Sequence, residues 1–101
     1  MKKMLALYRA PANVDAFMKH YREVHVPLVR QLPGLVDVTI TQINKTLVGE
    51  AGNFLLAEMS FEDDAALLTA LKSPENAACG KDAMALAGDL VTVMTAETID
   101  F

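Results

Sequence analysis

The strongest constraint on the fold is that two short segments are apolar on both sides of a β-strand. Residues 4–7 and 54–57 contain no polar side chain, so neither segment alternates between an apolar and a polar face. A strand that is apolar on both sides is covered on both sides. The sequence therefore predicts a sheet with helices on one face and, most economically, the sheet of a second copy on the other.

Composition supports such a partner surface. The chain has 101 residues, of which 52% are hydrophobic and 22% are charged. This is a high apolar content for a domain that buries roughly 60–65% of its extended surface. An alanine- and leucine-rich helical surface without a partner is the alternative. We favour the first interpretation and predict a homodimer that pairs through its sheet faces.

Charge and the length of apolar runs argue against two classes of partner. The formal net charge is -4, and no basic cluster is longer than the pair Lys2 and Lys3, whereas nucleic-acid-binding surfaces gather Lys and Arg on one face. No apolar run approaches the ~20 residues that span a bilayer, and the first run stops at Arg9, which is too early for a signal peptide. With Cys79 as its one cysteine, the chain is expected to be cytoplasmic.

Strand and helix patterns alternate along the first third of the chain. Residues 3–9 form a short apolar run that predicts a strand, and Asn13 and Asp15 are typical of a helix N-terminus. Pro33 and Gly34 are expected to end that helix. Its apolar residues recur at steps of three and four, which predicts one buried helical face: Val14, Phe17, Tyr21, Val24, Leu28 and Leu32.

Two further strands and a helix are predicted in the middle of the chain. Residues 35–43 alternate between apolar, mostly β-branched side chains and polar ones, which is typical of a half-buried strand. Residues 53–61 form a second strand that is apolar except for Glu58. The three acidic residues 62–64 then mark the start of a helix, because carboxylates stabilise a helix N-terminus.

The last elements complete the order β-α-β-β-α-(α)-β. Ser73 and Pro74 predict the start of an alanine-rich helix that ends at Gly88. Residues 89–98 predict the final strand. Two βαβ units of this kind place four strands in one antiparallel sheet with the helices on one face. We therefore predict a single ferredoxin-like α+β domain over residues 1–101 that pairs as a dimeric α+β barrel.

The most distinctive stretch for chemistry lies in the first predicted helix. His25 follows Tyr21 by four residues, so both rings lean along one side, on the shoulder of the apolar stripe. Pro27 cannot donate to the carbonyl of Glu23, which predicts a kink or local unwinding. Imidazole exchanges a proton near neutral pH and suits general acid–base catalysis. A structural histidine that is hydrogen-bonded into the kink is the alternative.

The same stretch resembles the signature of the EthD-like family, named for a component of ethyl tert-butyl ether degradation. The matching residues are Tyr21-x-x-x-His25-x-Pro27-Leu28 and Leu32-Pro33-Gly34-Leu35. The resemblance extends over essentially the whole chain. It implies a ferredoxin-like fold, a homodimer formed by sheet packing and a pocket near His25. Similar folds include lactone isomerases, polyketide cyclases and small monooxygenases, which generally work without a metal or bound cofactor.

The resemblance implies roles for a small set of side chains. His25 is the expected general acid or base, and Tyr21 is expected to orient it or the substrate. The predicted substrate-binding residues are Tyr8, Glu58 and Leu28. Two alternatives remain open here: Glu58 faces solvent or pairs with a Lys or Arg across the sheet, which we favour, and Tyr8 is a core or interface residue.

Two further candidates are weaker. His20 and His25 are five residues apart, which puts them on different sides of a helix, so we predict no shared metal site. The resemblance implies no bound cofactor. Lactone methylisomerases that resemble the family use a second histidine and a cysteine beside the helix histidine. Here Cys79 lies far along the chain and is predicted to be a small buried residue.

These patterns predict a cofactor-independent small-molecule enzyme or accessory factor of the isomerase, cyclase or monooxygenase type. Its expected ligand is a small apolar, cyclic or aromatic oxygenated compound of catabolic or secondary metabolism, bound in an apolar cavity. The alternative from another class is a non-catalytic dimer that binds a ligand or supports an oxygenase.

Overall fold

Four strands form one antiparallel sheet in the computed structural model, which describes residues 1–101. The strands are β1 (Lys2–Arg9), β2 (Asp37–Gln42), β3 (Asn53–Phe61) and β4 (Val91–Glu97). Their order across the sheet is β2-β3-β1-β4. The two central strands, β1 and β3, contain the segments that are apolar on both sides. The predicted ferredoxin-like α+β fold and its element order are confirmed.

The helices lie on one face of this sheet. Their bounds are α1 (Val14–His20), a π-helical turn (Tyr21–His25), α2 (Val26–Val29), α3 (Asp64–Leu71), α4 (Pro74–Ala87) and a short 3-10 turn (Gly88–Leu90). We refer to α1, the π turn and α2 together as the first helical segment. No helix here combines the length and hydropathy that a membrane crossing requires.

Short side chains cap the helices at their N-termini. Asn13, Asp63 and Ser73 each accept a hydrogen bond from the backbone N–H three residues later, at 3.0, 2.8 and 3.1 Å. Each bond satisfies an amide that has no partner within its helix. The predicted caps Asn13 and Ser73 are confirmed, and Gly88 ends α4 as expected, with a φ of +52°.

The predicted unwinding before Pro27 takes the form of a π-helical turn. The N–H of Val26 donates to the carbonyl of Tyr21, five residues earlier. Pro27 follows directly and has no N–H to return to the carbonyl of Glu23, so the α-helical pattern cannot continue there. The helix also ends at Val29, earlier than the Pro33–Gly34 pair predicted.

The π turn changes which residues face the core. Because the turn holds an extra residue, the buried positions advance by four: Phe17, Tyr21, His25 and Val29. Val14 and Val24, which the α-helical spacing placed on the buried stripe, are exposed. His25 was predicted at the shoulder of the stripe, whereas it lies within it and is only 5% exposed.

The two faces of the sheet differ in their cover. Met4, Ala6 and Tyr8 of β1 point toward the helices and are buried in the core. Side chains alternate along a strand, so Leu5 and Leu7 point to the opposite face. Cross-strand pairing adds neighbours to that face: Leu56 and Glu58 of β3 and Met94 of β4. We call this side of the sheet the open face.

One glycine within α4 and the glycine that directly follows it provide a matched test of the backbone. Gly88 has a φ of +52°, and Gly80 lies within the helix where an added methyl group meets no atom within 4 Å. Gly88→Ala should destabilise the fold by about 1–2 kcal/mol because an L-residue is strained there. Gly80→Ala should stabilise it by about 0.5–1 kcal/mol. Urea unfolding measures both, and equal effects would contradict the assigned end of α4.

Candidate active site

A largely apolar cavity lies between the sheet and the helices. Its volume is about 160 Å³, and 10 of its 13 lining residues are hydrophobic. An apolar cavity of about 150 Å³ in another protein holds benzene, so this space suits one six-membered ring. The side chains in its lining that carry an O–H, N–H or S–H group are Tyr8, His25, Asn76 and Cys79.

Asp82 of α4 holds the buried imidazole of His25. His25 Nδ1 lies 2.8 Å from Asp82 Oδ2. Burial acts to raise the pKa of Asp82, but hydrogen bonds from His20 and His25 outweigh it and hold that pKa below its usual range. The carboxylate is therefore ionised at neutral pH and can only accept hydrogen bonds. Consequently, Nδ1 of His25 carries a hydrogen.

The second ring nitrogen of His25 is the one available for chemistry. Nε2 lies 3.5 Å from the hydroxyl of Tyr8, a long contact at the edge of the same cavity. In the neutral ring Nδ1 carries the hydrogen, so Nε2 carries a lone pair. Burial raises the pKa of Tyr8 to about 12, and the nearby Asp82 charge adds to the effect. The tyrosine hydroxyl therefore keeps its proton at neutral pH.

Tyr21 contacts the imidazole rather than the cavity. Its ring stacks on His25 with centroids 5.1 Å apart and planes 28° apart, and it stacks on Phe17 from the other direction. Its hydroxyl is buried with no hydrogen-bond partner, and burial raises the pKa of Tyr21. This geometry suits orientation of His25 and places the Tyr21 side chain outside the cavity lining.

His20 binds the same carboxylate as His25. Its Nε2 lies 2.7 Å from Asp82 Oδ1. The expectation that the two histidines lie on different sides of the helix is therefore wrong. An ideal α-helix turns 500° over five residues, whereas the wider π turn between them brings residues five apart onto one side.

Cys79 lines the same cavity as His25 although it is distant in sequence. It is buried, as predicted, and lines the same cavity from α4. Burial raises the pKa of Cys79, with a further contribution from the Asp82 charge. The thiol is therefore protonated at neutral pH and adds a small polarisable surface to the cavity.

Two predicted substrate-binding residues lie elsewhere. Glu58 is on the open face of the sheet, where its Oε1 lies 3.3 Å from Lys3 Nζ, as the alternative interpretation had it. Leu28 packs against the hydrophobic core, and the cavity is lined by Val29 of the same segment. Of the three predicted residues, Tyr8 alone lines the cavity.

Asp82 is the residue of this candidate site that the sequence analysis missed. A single carboxylate in an alanine-rich helix is usually solvated, and nothing links it to a histidine 57 residues earlier. The available signal was its place in α4. Asp82 directly precedes Ala83 and follows Cys79 by three residues, so it sits at the edge of the buried face of the helix.

A family comparison now identifies the chain's relatives. The family model described as the EthD domain matches residues 9–89, which include His25, its π turn and Asp82. The chain belongs to the EthD family. The resemblance inferred from the Tyr21–His25 stretch is confirmed.

Individual relatives agree with this assignment. The EthD-family chain is 30% identical over 94 residues to an uncharacterised 11.0 kDa protein of the thcB-thcC intergenic region in Rhodococcus erythropolis, covering 93% of this chain and 91% of that one. An ethyl tert-butyl ether D (EthD) family protein from Bacillus halodurans C-125 has 41% identity and a TM-score of 0.92, with 98% and 99% of the two chains covered.

A more distant structure shares the fold alone. It is described as a dimeric ferredoxin-like protein from Jannaschia sp. CCS1, and the identity is 19% with a TM-score of 0.69. The match covers 96% of this EthD-family chain and 98% of that one. It supports the ferredoxin-like fold.

The buried tyrosine at the cavity gives a prediction for alkaline stability. An unfolded tyrosine ionises near pH 10, whereas the pKa of Tyr8 in the fold is about 12. Between these values the unfolded chain loses the proton first, so the free energy of unfolding falls as pH rises. Tyr8→Phe should therefore flatten the decline between pH 9.5 and about 11.5 in urea titrations.

The second tyrosine serves as a comparison for that measurement. Burial also raises the pKa of Tyr21, so Tyr21→Phe should flatten the same decline, and the double variant should flatten it most. An unchanged slope in Tyr8→Phe would show that its hydroxyl ionises as readily in the fold as in the unfolded chain.

Proposed function

We propose that this protein is a cofactor-independent enzyme in which His25, held by Asp82, transfers a proton on a small cyclic oxygenated compound. One observation carries the proposal. A buried imidazole has one nitrogen 2.8 Å from an ionised carboxylate and the other 3.5 Å from the Tyr8 hydroxyl, and the His25 and Tyr8 side chains both line an apolar cavity of about 160 Å³. A general base needs a fixed tautomer with the lone pair directed toward the substrate, and this arrangement supplies it.

The proposed step is an intramolecular proton transfer. For a β,γ-unsaturated lactone, His25 Nε2 removes a proton from the carbon beside the carbonyl, and the C–H electron pair delocalises onto the carbonyl oxygen. Return of the same proton from Nε2 to the γ-carbon gives the conjugated isomer. The sum of atoms and electrons is unchanged, so the reaction consumes no co-reactant.

Two side chains stabilise the charges that form in this step. The imidazolium that forms on His25 lies against the Asp82 carboxylate, so the opposite charge favours it. The Tyr8 hydroxyl lies 3.5 Å from Nε2 and keeps its proton because burial raises its pKa to about 12. It is therefore placed to donate to an enolate oxygen as negative charge develops there.

The cavity supports a substrate of limited size and polarity. Its volume suits one ring, and its lining is predominantly hydrophobic. A phenol, lactone or quinone of one ring meets both conditions. We infer a role for such a compound in catabolic or secondary metabolism.

A non-catalytic ligand-binding or oxygenase-supporting protein is the second candidate. It is favoured by the Tyr8 hydroxyl, which already lies at the hydrogen-bonding position of His25 Nε2. A ligand-binding protein would keep the contact between the Tyr8 hydroxyl and His25 Nε2 when its ligand enters. In an enzyme, Nε2 must contact the substrate instead.

Catalysis is tested with a β,γ-unsaturated five-membered lactone whose conjugation is followed by ultraviolet absorbance. His25→Gln should lower kcat/KM by about 10²-fold or more, and Asp82→Asn should lower kcat while the fold, checked by circular dichroism, remains. Asp89→Asn is the matched control: an exposed aspartate in the 3-10 turn, expected to leave the rate unchanged.

The competing outcomes are distinguished by ligand binding. Chemical shifts of the His25 ring should respond to single-ring phenols, lactones or quinones in either candidate function. We call these phenols, lactones and quinones the panel compounds. Binding of one of them, without turnover of any, would favour the ligand-binding protein. No response from His25 to any compound would overturn both candidates and leave a structural histidine.

We also propose that two copies pair through the open faces of their sheets. Leu5, Leu7, Leu56 and Met94 form an apolar patch there, and a protein of the same fold is described as dimeric. Burial of this patch against its own copy removes it from water. The Lys3–Glu58 ion pair borders it.

Sedimentation velocity tests the proposed pairing. Leu7→Lys should weaken the dimer by about 10-fold or more, because an unpaired charge at the interface is costly. Leu68→Lys on α3, where the native side chain is 50% exposed, is the control and should leave the mass unchanged. A wild-type protein that sediments as a monomer would contradict the proposal.

A further inference from the structure

His20 is the member of the polar cluster that the proposed reaction leaves without a role. It lies at the end of α1, one residue before the π turn, and its Nε2 bonds to Asp82 at 2.7 Å. We propose that His20 is a positioning residue that acts through Asp82 to hold His25 in the tautomer with Nε2 unprotonated. This inference rests on the proposed function, because a general base requires that tautomer.

The geometry of the carboxylate is the first support. Each oxygen of Asp82 accepts from a different imidazole, Oδ1 from His20 and Oδ2 from His25. One hydrogen bond would leave the carboxylate free to rotate about its side-chain torsions. Two bonds from the same helical segment fix its plane, and with it the position of Oδ2 beneath His25 Nδ1.

The second support is the competition between the two tautomers of His25. The alternative tautomer has its hydrogen on Nε2, which can donate toward the Tyr8 oxygen at 3.5 Å. Its Nδ1 lone pair would then face Asp82 Oδ2 at 2.8 Å. Two acceptors at that distance repel each other when the carboxylate is ionised. A carboxylate that turns away from Nδ1 removes this repulsion and leaves the alternative tautomer its contact with Tyr8.

An ionised Asp82 held beneath Nδ1 therefore selects the tautomer, and the bond from His20 helps to keep the carboxylate in that position. Burial acts to raise the pKa of Asp82, and the hydrogen bond from His20 is one of the two that offset it. The side chains of His20, Asp82 and His25 are 38%, 14% and 6% exposed, so His20 is the member of the cluster nearest to water. Loss of its N–H leaves the partly buried carboxylate with one donor.

A purely structural role for His20 makes a different prediction. In that case its bond to Asp82 only ties α4 to the first helical segment, and its loss lowers the melting temperature without altering the His25 ring. The tautomer of His25 separates the two roles, because the nitrogen chemical shift distinguishes a ring nitrogen that carries hydrogen from one that carries a lone pair.

The test records long-range proton–nitrogen spectra of the ligand-free protein at neutral pH. Wild-type His25 should show hydrogen on Nδ1. His20→Phe, which keeps a ring of similar volume but has no donor, should shift His25 toward hydrogen on Nε2 and raise the pKa of the Asp82 carboxyl. His20→Gln keeps an N–H donor and should restore both the hydrogen on His25 Nδ1 and the low pKa of the Asp82 carboxyl. Lys19→Ala, an exposed neighbour on α1, is the control.

Kinetics with the β,γ-unsaturated lactone extend the same comparison. His20→Phe should lower kcat by about 10-fold or more with KM nearly unchanged, because the wrong tautomer binds but does not abstract. His20→Gln should recover most of that loss. Equal losses in the Phe and Gln variants would overturn the positioning role.

The outcomes keep this inference separate from the proposed function. A shifted tautomer in His20→Phe, in a protein that turns over no panel compound, would support the positioning role and overturn the proposed reaction. An unshifted tautomer in a folded His20→Phe variant would overturn the positioning role, whatever the wild-type activity. His20→Gln provides the folded comparison if the Phe variant is unstable.

Discussion

The hydrogen bond between His25 and Asp82 is the interaction on which the rest of the site depends. A buried imidazole is costly unless its N–H group has a partner, and the carboxylate of α4 provides that partner at 2.8 Å. The same bond ties α4 to the first helical segment, and these two elements form much of the cavity wall. The packing of these helices and the proposed chemistry therefore depend on one contact. His25 is both a core residue and the only imidazole in the cavity lining.

The π turn makes this arrangement possible. If the segment after Tyr21 were a regular α-helix, Val24 would lie on the buried stripe and His25 at its shoulder. The extra residue in the turn moves Val24 into water and His25 into the core. It also brings His20 onto the side that faces Asp82. Pro27 makes the irregular turn less costly because an α-helical bond to the carbonyl of Glu23 is already absent.

Sequence patterns located the elements well and the site only in part. The N-caps Asn13 and Ser73 and the strand Asn53–Phe61 lie where local chemistry placed them, since capping and alternation depend on neighbours in the chain. His25 and Tyr8 were identified as candidates, and both line the cavity. Asp82 was missed and Glu58 misplaced, because a carboxylate's role depends on which distant side chain it meets.

The sequence by itself determined the order of strands and helices, the ferredoxin-like sheet and the choice of His25 as the candidate base, because periodicity, caps and motif spacing are local properties. Only the tertiary structure decided that His20 and His25 share one carboxylate, that Cys79 joins their cavity and that Glu58 faces away from it. The physical reason is that hydrogen bonds of 2.7–2.8 Å between residues about 60 positions apart arise from helix packing and the π turn. Helix packing leaves no periodic signal in the chain, and Pro27 indicates a local unwinding without specifying a π turn.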